Sequence, residues 1–441
     1  MTILADARAV LAEGPVCDAC VGRVVADRSF GLTNADRGYA LRVAVALDAD
    51  EPFEGAPDSD ECWVCEGLCG RYDAWADRVV AALEGVTFET YQVGSRVPPL
   101  LSENDRLLRE SAGLDPDAGE TLSSALNREV GKRVGGQLGV DVDFERPDVV
   151  ALLDLDADAV DVQVNPAFVA GRYRKFSREI PQTEWPCRDC DGRGRVEGDP
   201  CPVCDGTGYR YEESVEQLVA PHVQEAMDGS DATFHGAGRE DIDARMLGTG
   251  RPFVVEVDEP RDRFPDAEAL QSRINTATEK VDVEKLRLAT YESVAQVKEL
   301  TADKTYRATV SFSVPVEATA FEDAIGTLDG ATIEQETPTR VSHRRADRSR
   351  TRTVHACSGS LSDSQTATVE IEGEGGLYIK ELISGDGGRT EPSLAGLLGV
   401  RADVTELDVL AVEAAEGDFE DPTYDREVPD SFARVDPRAP D

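Results

Sequence analysis

Positive charge is scarce in this chain of 441 residues, where 46 lysines and arginines stand against 87 aspartates and glutamates for a formal charge of -41. Lysine is nearly missing, with seven against 39 arginines. The carboxylates run from "DADEPFEGAPDSDE" near the start to "EAAEGDFEDPTYDRE" near the end, so a single acidic tail or docking face does not account for them. A whole-surface bias suits a cytosol of molar salt, where the Debye length is about 3 Å or less and self-repulsion is screened. A halophilic protein is expected. Net charge then says little about partners, and local basic exceptions carry the information.

Long apolar runs are also absent. No stretch approaches the ~20 apolar residues of a membrane span, and no positively charged start leads into an apolar segment. A cytoplasmic, monomeric chain with no membrane partner is expected. No Gly-x-Gly-x-x-Gly follows a strand pattern, and "GTG" at 248–250 has no Lys-Ser/Thr behind it, so neither a dinucleotide fold nor a phosphate loop is signalled.

What the sequence has is 40% apolar residues, enough for packed cores in two to four domains, and ten patterned cysteines. Cys17/Cys20, Cys62/Cys65, Cys187/Cys190 and Cys201/Cys204 form four Cys-x-x-Cys pairs, with Cys69 and Cys357 left single. Free or redox-active thiols are the plain alternative, but in a reducing cytosol such pairs are more often metal ligands. The first two pairs would close one tetrahedral zinc site through the fold, and "CRDCDGRGRVEGDPCPVCDGTG", with a Gly-x-Gly after each pair, would close a second. Residues 1–78 read as the first zinc segment, and residues 79–180 as an α+β region mixing helical and alternating patterns. Residues 181–210 read as the second zinc unit, and 211–415 as the largest domain, a mixed sheet flanked by helices. The acidic, proline-bearing residues 416–441 are expected to be a disordered tail.

Three constellations stand out. If "REDIDAR" at 239–245 is extended, Arg239, Asp241, Asp243 and Arg245 share one face, Ile242 and Ala244 the other, with Glu240 at the entry. A carboxylate flanked by guanidiniums stays ionised and can serve as nucleophile or base; a surface ion-pair ladder is the plain alternative. "TPTRVSHRRADRSRTRTV" places six arginines between 340 and 352 against a single acid, and "GRYRKFSREI" places four basic residues in ten. Arginine forks suit phosphate oxygens, so Arg340, Arg344, Arg345 and Arg348, and separately Arg172, Arg174 and Lys175, are candidate nucleic-acid contacts. Tyr306 opens an alternating strand in "KTYRATV", where an aromatic is more often core, and Lys380 in "GGLYIKELISGDGGRT" could be an ordinary surface lysine.

Taken together, "CDAC", "CWVCEGL", "RYRKFSREIPQTEWPC", "GAGREDIDARMLGTGRPFVVEV", "KTYRATV", "TPTRVSHRRADRSR" and "GGLYIKELISGDGGRTEPSLAGLLG" resemble the archaeal tRNA pseudouridine-54/55 synthases. These are the stand-alone type with an N-terminal zinc and THUMP-containing region. The resemblance covers nearly all the chain except the acidic loops and the tail. It implies an α+β fold, with a pseudouridine-synthase mixed-sheet catalytic domain preceded by a THUMP-containing accessory domain. It also implies that Asp241 of "GRED" is the catalytic carboxylate, with Asp243 the rival on the same face. Arg239 would pair with Asp241 when no substrate is bound, Tyr306 would stack on the flipped uracil, and Ile379, Lys380 and Leu407 would line the pocket and hold the catalytic loop. No catalytic cofactor is implied, only structural Zn2+, about two ions. The implied partner is tRNA, modified at uridines 54 and 55 of the TΨC arm, with the accessory region gripping the acceptor end. A zinc-bearing RNA-binding factor without catalysis is the competing reading. The cysteine repeats of J-domain co-chaperones offer another likeness, but only two repeats and no J-domain are present.

Overall fold

Threonine caps open several helices of the first unit. In a computed structural model, which describes residues 2–338, 348–413, 419–430 and 432–434, Thr2 accepts from the Ala5 amide to start α1 (Ile3–Ala12). α2 (Asp18–Arg23) follows directly on Cys17, and Thr33 with Asp36 forms a reciprocal capping box on α3 (Asn34–Ala49). α4 (Tyr72–Ala82) leads into β1 (Thr87–Phe88) and β2 (Thr90–Arg96). Then come α5 (Pro99–Ser111), α6 (Leu122–Leu138), β3 (Asp141–Val142), β4 (Val149–Asp154) and β5 (Ala159–Val164). The sheet order is β3-β2-β4-β5. The apolar stripe of α6, Leu126, Val130 and Val134, is buried in one core with Tyr91 of β2 and Val149 and Leu153 of β4.

The second unit is one ten-stranded mixed sheet with helices about it. Its elements in chain order begin with β6 (Ala167–Lys175), the small hairpin β7 (Arg195–Val196) and β8 (Asp199–Pro200), α7 (Val215–Met227), β9 (Asp231–Gly236) and β10 (Ala244–Asp258). They continue with α8 (Ala267–Ala277), β11 (Val281–Ala289), α9 (Glu292–Glu299), β12 (Asp303–Phe312), α10 (Ala318–Leu328) and β13 (Thr332–Glu336). Last are β14 (Ser349–Asp363), β15 (Thr366–Gly373), α11 (Ile379–Ser384), β16 (Thr390–Glu391), α12 (Leu394–Leu398) and β17 (Ala402–Glu413). The strand order is β11-β6-β10-β17-β12-β15-β14-β13-β16, with β9 paired to β10. In this sheet, among the described residues, only β10 and β17 run parallel, and their register sets Ala244 beside Leu407. Tyr306 of β12 packs against two apolar clusters, one around Tyr173, Phe253 and Val409 and the other around Val310, Ile371 and Leu382.

The two units comprise Met1–Asn165 with Glu259–Arg263 and Pro429–Asp441, and Pro166–Asp258 with Phe264–Val428. The boundary expected at 180 therefore moves: β6, read as part of the accessory region, pairs along its length with β10 and β11. Its buried face of Val169, Gly171 and Tyr173 lies in the interior of the large sheet. The expectation of a disordered tail also fails for its described part. Phe419 is buried, Glu420 pairs with Arg172 and Lys285, and β18 (Ala433–Arg434) pairs with β1.

Candidate active site and metal centres

The stretch between β9 and β10 is a turn, not the strand the spacing suggested. The Ala244 amide donates to Asp241 O at 3.0 Å, and extended pairing begins only at Ala244. The row of four side chains is accordingly split. Arg239 lies over the Trp185 ring, 4.7 Å from its centroid, so the pairing with Asp241 implied by the family likeness is not seen. The cation that reaches Asp241 among the described residues is Lys380, with Nζ 3.3 Å from Asp241 Oδ2 and 2.9 Å from Asp243 Oδ2. Arg245 instead grips Asp408 with two hydrogen bonds of 2.9 and 2.8 Å. Burial alone would raise the Asp408 carboxyl, but bonds from Arg245 and the charges of Arg178 and Arg245 outweigh it and hold it below the usual range.

The structure brings the other pocket candidates to the same place. Leu407 is the β17 neighbour of Ala244, and its carbonyl, like that of Asp243, accepts from Arg178 Nη1, at 2.7 and 3.0 Å. Ile379 is buried at the head of α11, with Lys380 next to it. The buried Gln335 side chain clamps that head, donating to Tyr378 O and accepting from Tyr378 N, both at 2.9 Å. Tyr306 is half-buried. Burial pushes its phenol up to about 12, helped by the nearby charge of Asp241 and opposed by Arg251. A carboxylate, a lysine beside it, an aromatic ring and two aliphatic side chains suit a flipped-out base.

The basic stretch at 172–175 is corrected. Lys175 has no exposed side chain, and its Nζ donates to Ile180 O and Ile242 O at 3.0 and 2.9 Å. Arg172 is buried against Glu420 and the carbonyls of Thr249, Gly250 and Val412. Arg174 is held by both oxygens of Asp282 at 2.8 Å. These cations serve the sheet, not a phosphate, because the charges they meet are already within the chain. In the other cluster, Arg340, Arg344 and Arg345 lie outside the described residues. Arg348 is exposed, with its backbone amide bonded to Thr337 Oγ1.

The second cysteine set forms as the spacing predicts. Cys187, Cys190, Cys201 and Cys204 are buried with their Sγ atoms within 4.8 Å of one another. The cross pairs Cys187–Cys201 and Cys190–Cys204 stand 4.0 and 3.8 Å apart. A zinc ion with four bonds of about 2.3 Å in a tetrahedron separates its sulfurs by about 3.8 Å, so the donor set fits. The amides of Gly194 and Gly208 donate to Cys190 and Cys204 at 3.2 Å. Both glycines have positive φ, and a Cβ at either would meet a carbonyl oxygen of the opposite knuckle at 2.3 or 2.4 Å.

The first set differs from expectation in one member. Cys17, Cys20, Cys65 and Cys69 are the mutually close group, with Cys17–Cys65 and Cys20–Cys69 each 3.9 Å apart. Cys62 is buried beside them but outside that group. The reason is the turn after Cys65: Glu66 and Gly67 both take left-handed φ, 45° and 87°, which swings Cys69 back onto the site. Arg23 and Tyr72 donate to the sulfurs of Cys20 and Cys69 at 3.3 and 3.2 Å, support characteristic of a thiolate centre.

No helix among the described residues is long and apolar enough to cross a membrane. The family model described as "Pus10, C-terminal" matches residues 168–413, and "Pus10 THUMP domain, archaeal" matches residues 75–154. A tRNA pseudouridine synthase Pus10 of Halorubrum lacusprofundi is 58% identical over 428 residues, covering 97% of this chain and all of that one. The protein of the same name from Methanothrix thermoacetophila is 43% identical, covering 93% of this chain and 94% of its own. Among solved structures, the crystal structure of a Cbf5-Nop10-Gar1 complex matches 47% of this chain and 47% of that one at 20% identity, with a TM-score of 0.29.

Proposed function

The chain belongs to the Pus10 family of tRNA pseudouridine synthases, and from that premise we propose that it isomerises uridines 54 and 55 in the TΨC arm of tRNA, with Asp241 acting on the flipped-out uridine. The observation that carries this reading is the placement of Asp241 in the turn that leads into β10, against Lys380 and within electrostatic reach of Tyr306. The reaction breaks the bond from N1 to C1′, turns the base, and joins C5 to C1′; the C5 hydrogen leaves as a proton and N1 takes one up. Nothing is oxidised or reduced. A carboxylate beside C1′ and C6 supplies the nucleophile or base, with Lys380 Nζ 3.3 Å from it. The Tyr306 ring gives the turning base a face to stack on.

In the same reading the two four-cysteine sets each hold one structural zinc ion, since four thiolates leave no open position for substrate. Arg340, Arg344, Arg345 and Arg348 meet tRNA phosphates, while the THUMP region grips the acceptor end by shape and backbone. The enzyme works in the cytoplasm as a monomer. Tritium release from tRNA transcript labelled at uridine C5 tests the centre of the proposal. Asp241→Asn should bind tRNA as the parent does and lose at least ~10³ in turnover at both positions. Activity retained there, with Asp243→Asn inactive, moves the assignment by two residues.

A further inference from the structure

The peptide that carries Asp241 rests on a buried polar cluster centred on Glu240. Glu240 is 8% exposed, and its two carboxylate oxygens accept from the Tyr173 hydroxyl at 3.0 and 2.9 Å. Arg251 Nε stands 3.1 Å from Oε2 and Lys175 Nζ 3.8 Å from Oε1. Both cations are buried, Arg251 at 2% side-chain exposure and Lys175 at 0%.

Each partner of Glu240 leads back to the backbone of the same turn. Arg251 Nη1 donates to Ala237 O at 2.8 Å. Gln182 Nε2 donates to Gly238 O at 3.0 Å and to the Tyr173 hydroxyl at 2.9 Å. Lys175 Nζ donates to Ile242 O at 2.9 Å. The turn lies between β9 and β10, outside the pairing of either strand, so these carbonyls take their partners from side chains. One carboxylate thus balances two buried cations that, with Tyr173 and Gln182, pin the chain on both sides of Asp241.

We propose that Glu240 is a positioning residue of the pseudouridine synthase reaction, whose buried carboxylate fixes Asp241 through Tyr173, Arg251 and Lys175. An apolar core could support the turn, but it could not hold the carbonyls of 237, 238 and 242 at once. Taking away the carboxylate leaves Lys175 and Arg251 as uncompensated like charges, and the turn shifts as they seek other partners. A displacement of about 1 Å at a reacting group is enough to cost on the order of 10² in rate. This inference rests on the reading of Asp241 as the catalytic carboxylate.

The test compares Glu240→Gln, Tyr173→Phe and Asp241→Asn in the full chain, with turnover counted per tRNA-binding molecule. Glu240→Gln should lower kcat by on the order of 10² with KM for tRNA within about twofold of the parent, and Tyr173→Phe should lower it about tenfold in the same manner. A purely structural role would reduce the fraction of binding-competent protein and leave the kcat of that fraction unchanged. That result, or a raised KM at normal kcat, overturns the proposal. Should Glu240→Gln fail to fold, Tyr173→Phe decides alone, and normal kcat there counts against it. An active Asp241→Asn removes the catalytic reading and this inference together, whereas an inactive one beside a normal Glu240→Gln removes only the inference.

Discussion

At the scale of single residues, the site is a matter of which cation meets which carboxylate. Asp241 and Asp243 share Lys380, while Arg239 stacks on Trp185 and Arg245 is committed to Asp408. Both carboxylates reach the same lysine but differ in place: the side chain of Asp243 is 68% exposed and that of Asp241 37%. The more enclosed group is the better placed to act on a base that has left water. Tyr306 should reveal itself by a graded series. Tyr306→Phe keeps the ring and its stacking, about 1–3 kcal/mol per base, so it should bind substrate more tightly than Tyr306→Ala. If both variants bind and turn over like the parent, measured by equilibrium binding and by tritium release, the residue belongs to the core alone.

At the scale of elements, the parallel pair β10–β17 and the clamped head of α11 position the site. The first places Leu407 beside Ala244, and the second aims Lys380 at the preceding turn. The cysteine knuckles are elements of the same kind, short turns whose amides face sulfur. Metal analysis should find about two zinc ions per chain. Cys69→Ser should release the N-terminal ion to a chelator faster than Cys62→Ser does, because Cys69 belongs to the mutually close set. The opposite order would restore the simple Cys-x-x-Cys pairing of Cys62 with Cys65. Spacing pointed to Cys62 because two residues between ligands is the common knuckle; the left-handed pair Glu66–Gly67 is what a reading by spacing could not weigh.

At the scale of the whole molecule, a chain of formal charge -41 must hold a polyanion. Counterion release ordinarily makes affinity fall steeply with salt, by roughly 0.7 to 0.9 log units per log unit for each phosphate neutralised. Here the protein's own carboxylates repel tRNA at low salt, so binding should strengthen as KCl is raised before it declines. Substituting Arg344, Arg345 and Arg348 together should weaken binding even in molar KCl, with zinc content and circular dichroism unchanged. Normal binding by that triple variant across the salt series would send the search for the RNA path to the THUMP region.

The sequence by itself determined what depends on local spacing and on residue chemistry. The second cysteine set with its glycine knuckles at 194 and 208 and the carboxylate-bearing "GRED" are each written within a few residues. Tertiary structure alone decided what depends on partners far along the chain. Lys175 and Arg172 read as a basic patch because their counter-charges, Glu240 and Glu420, lie 65 and 248 positions away. Glu240 read as an entry residue because the cations that bury it come from β6 and β10. An unpaired charge and a paired one look alike in one dimension, and only packing shows which carboxylate faces water and which is held beneath it.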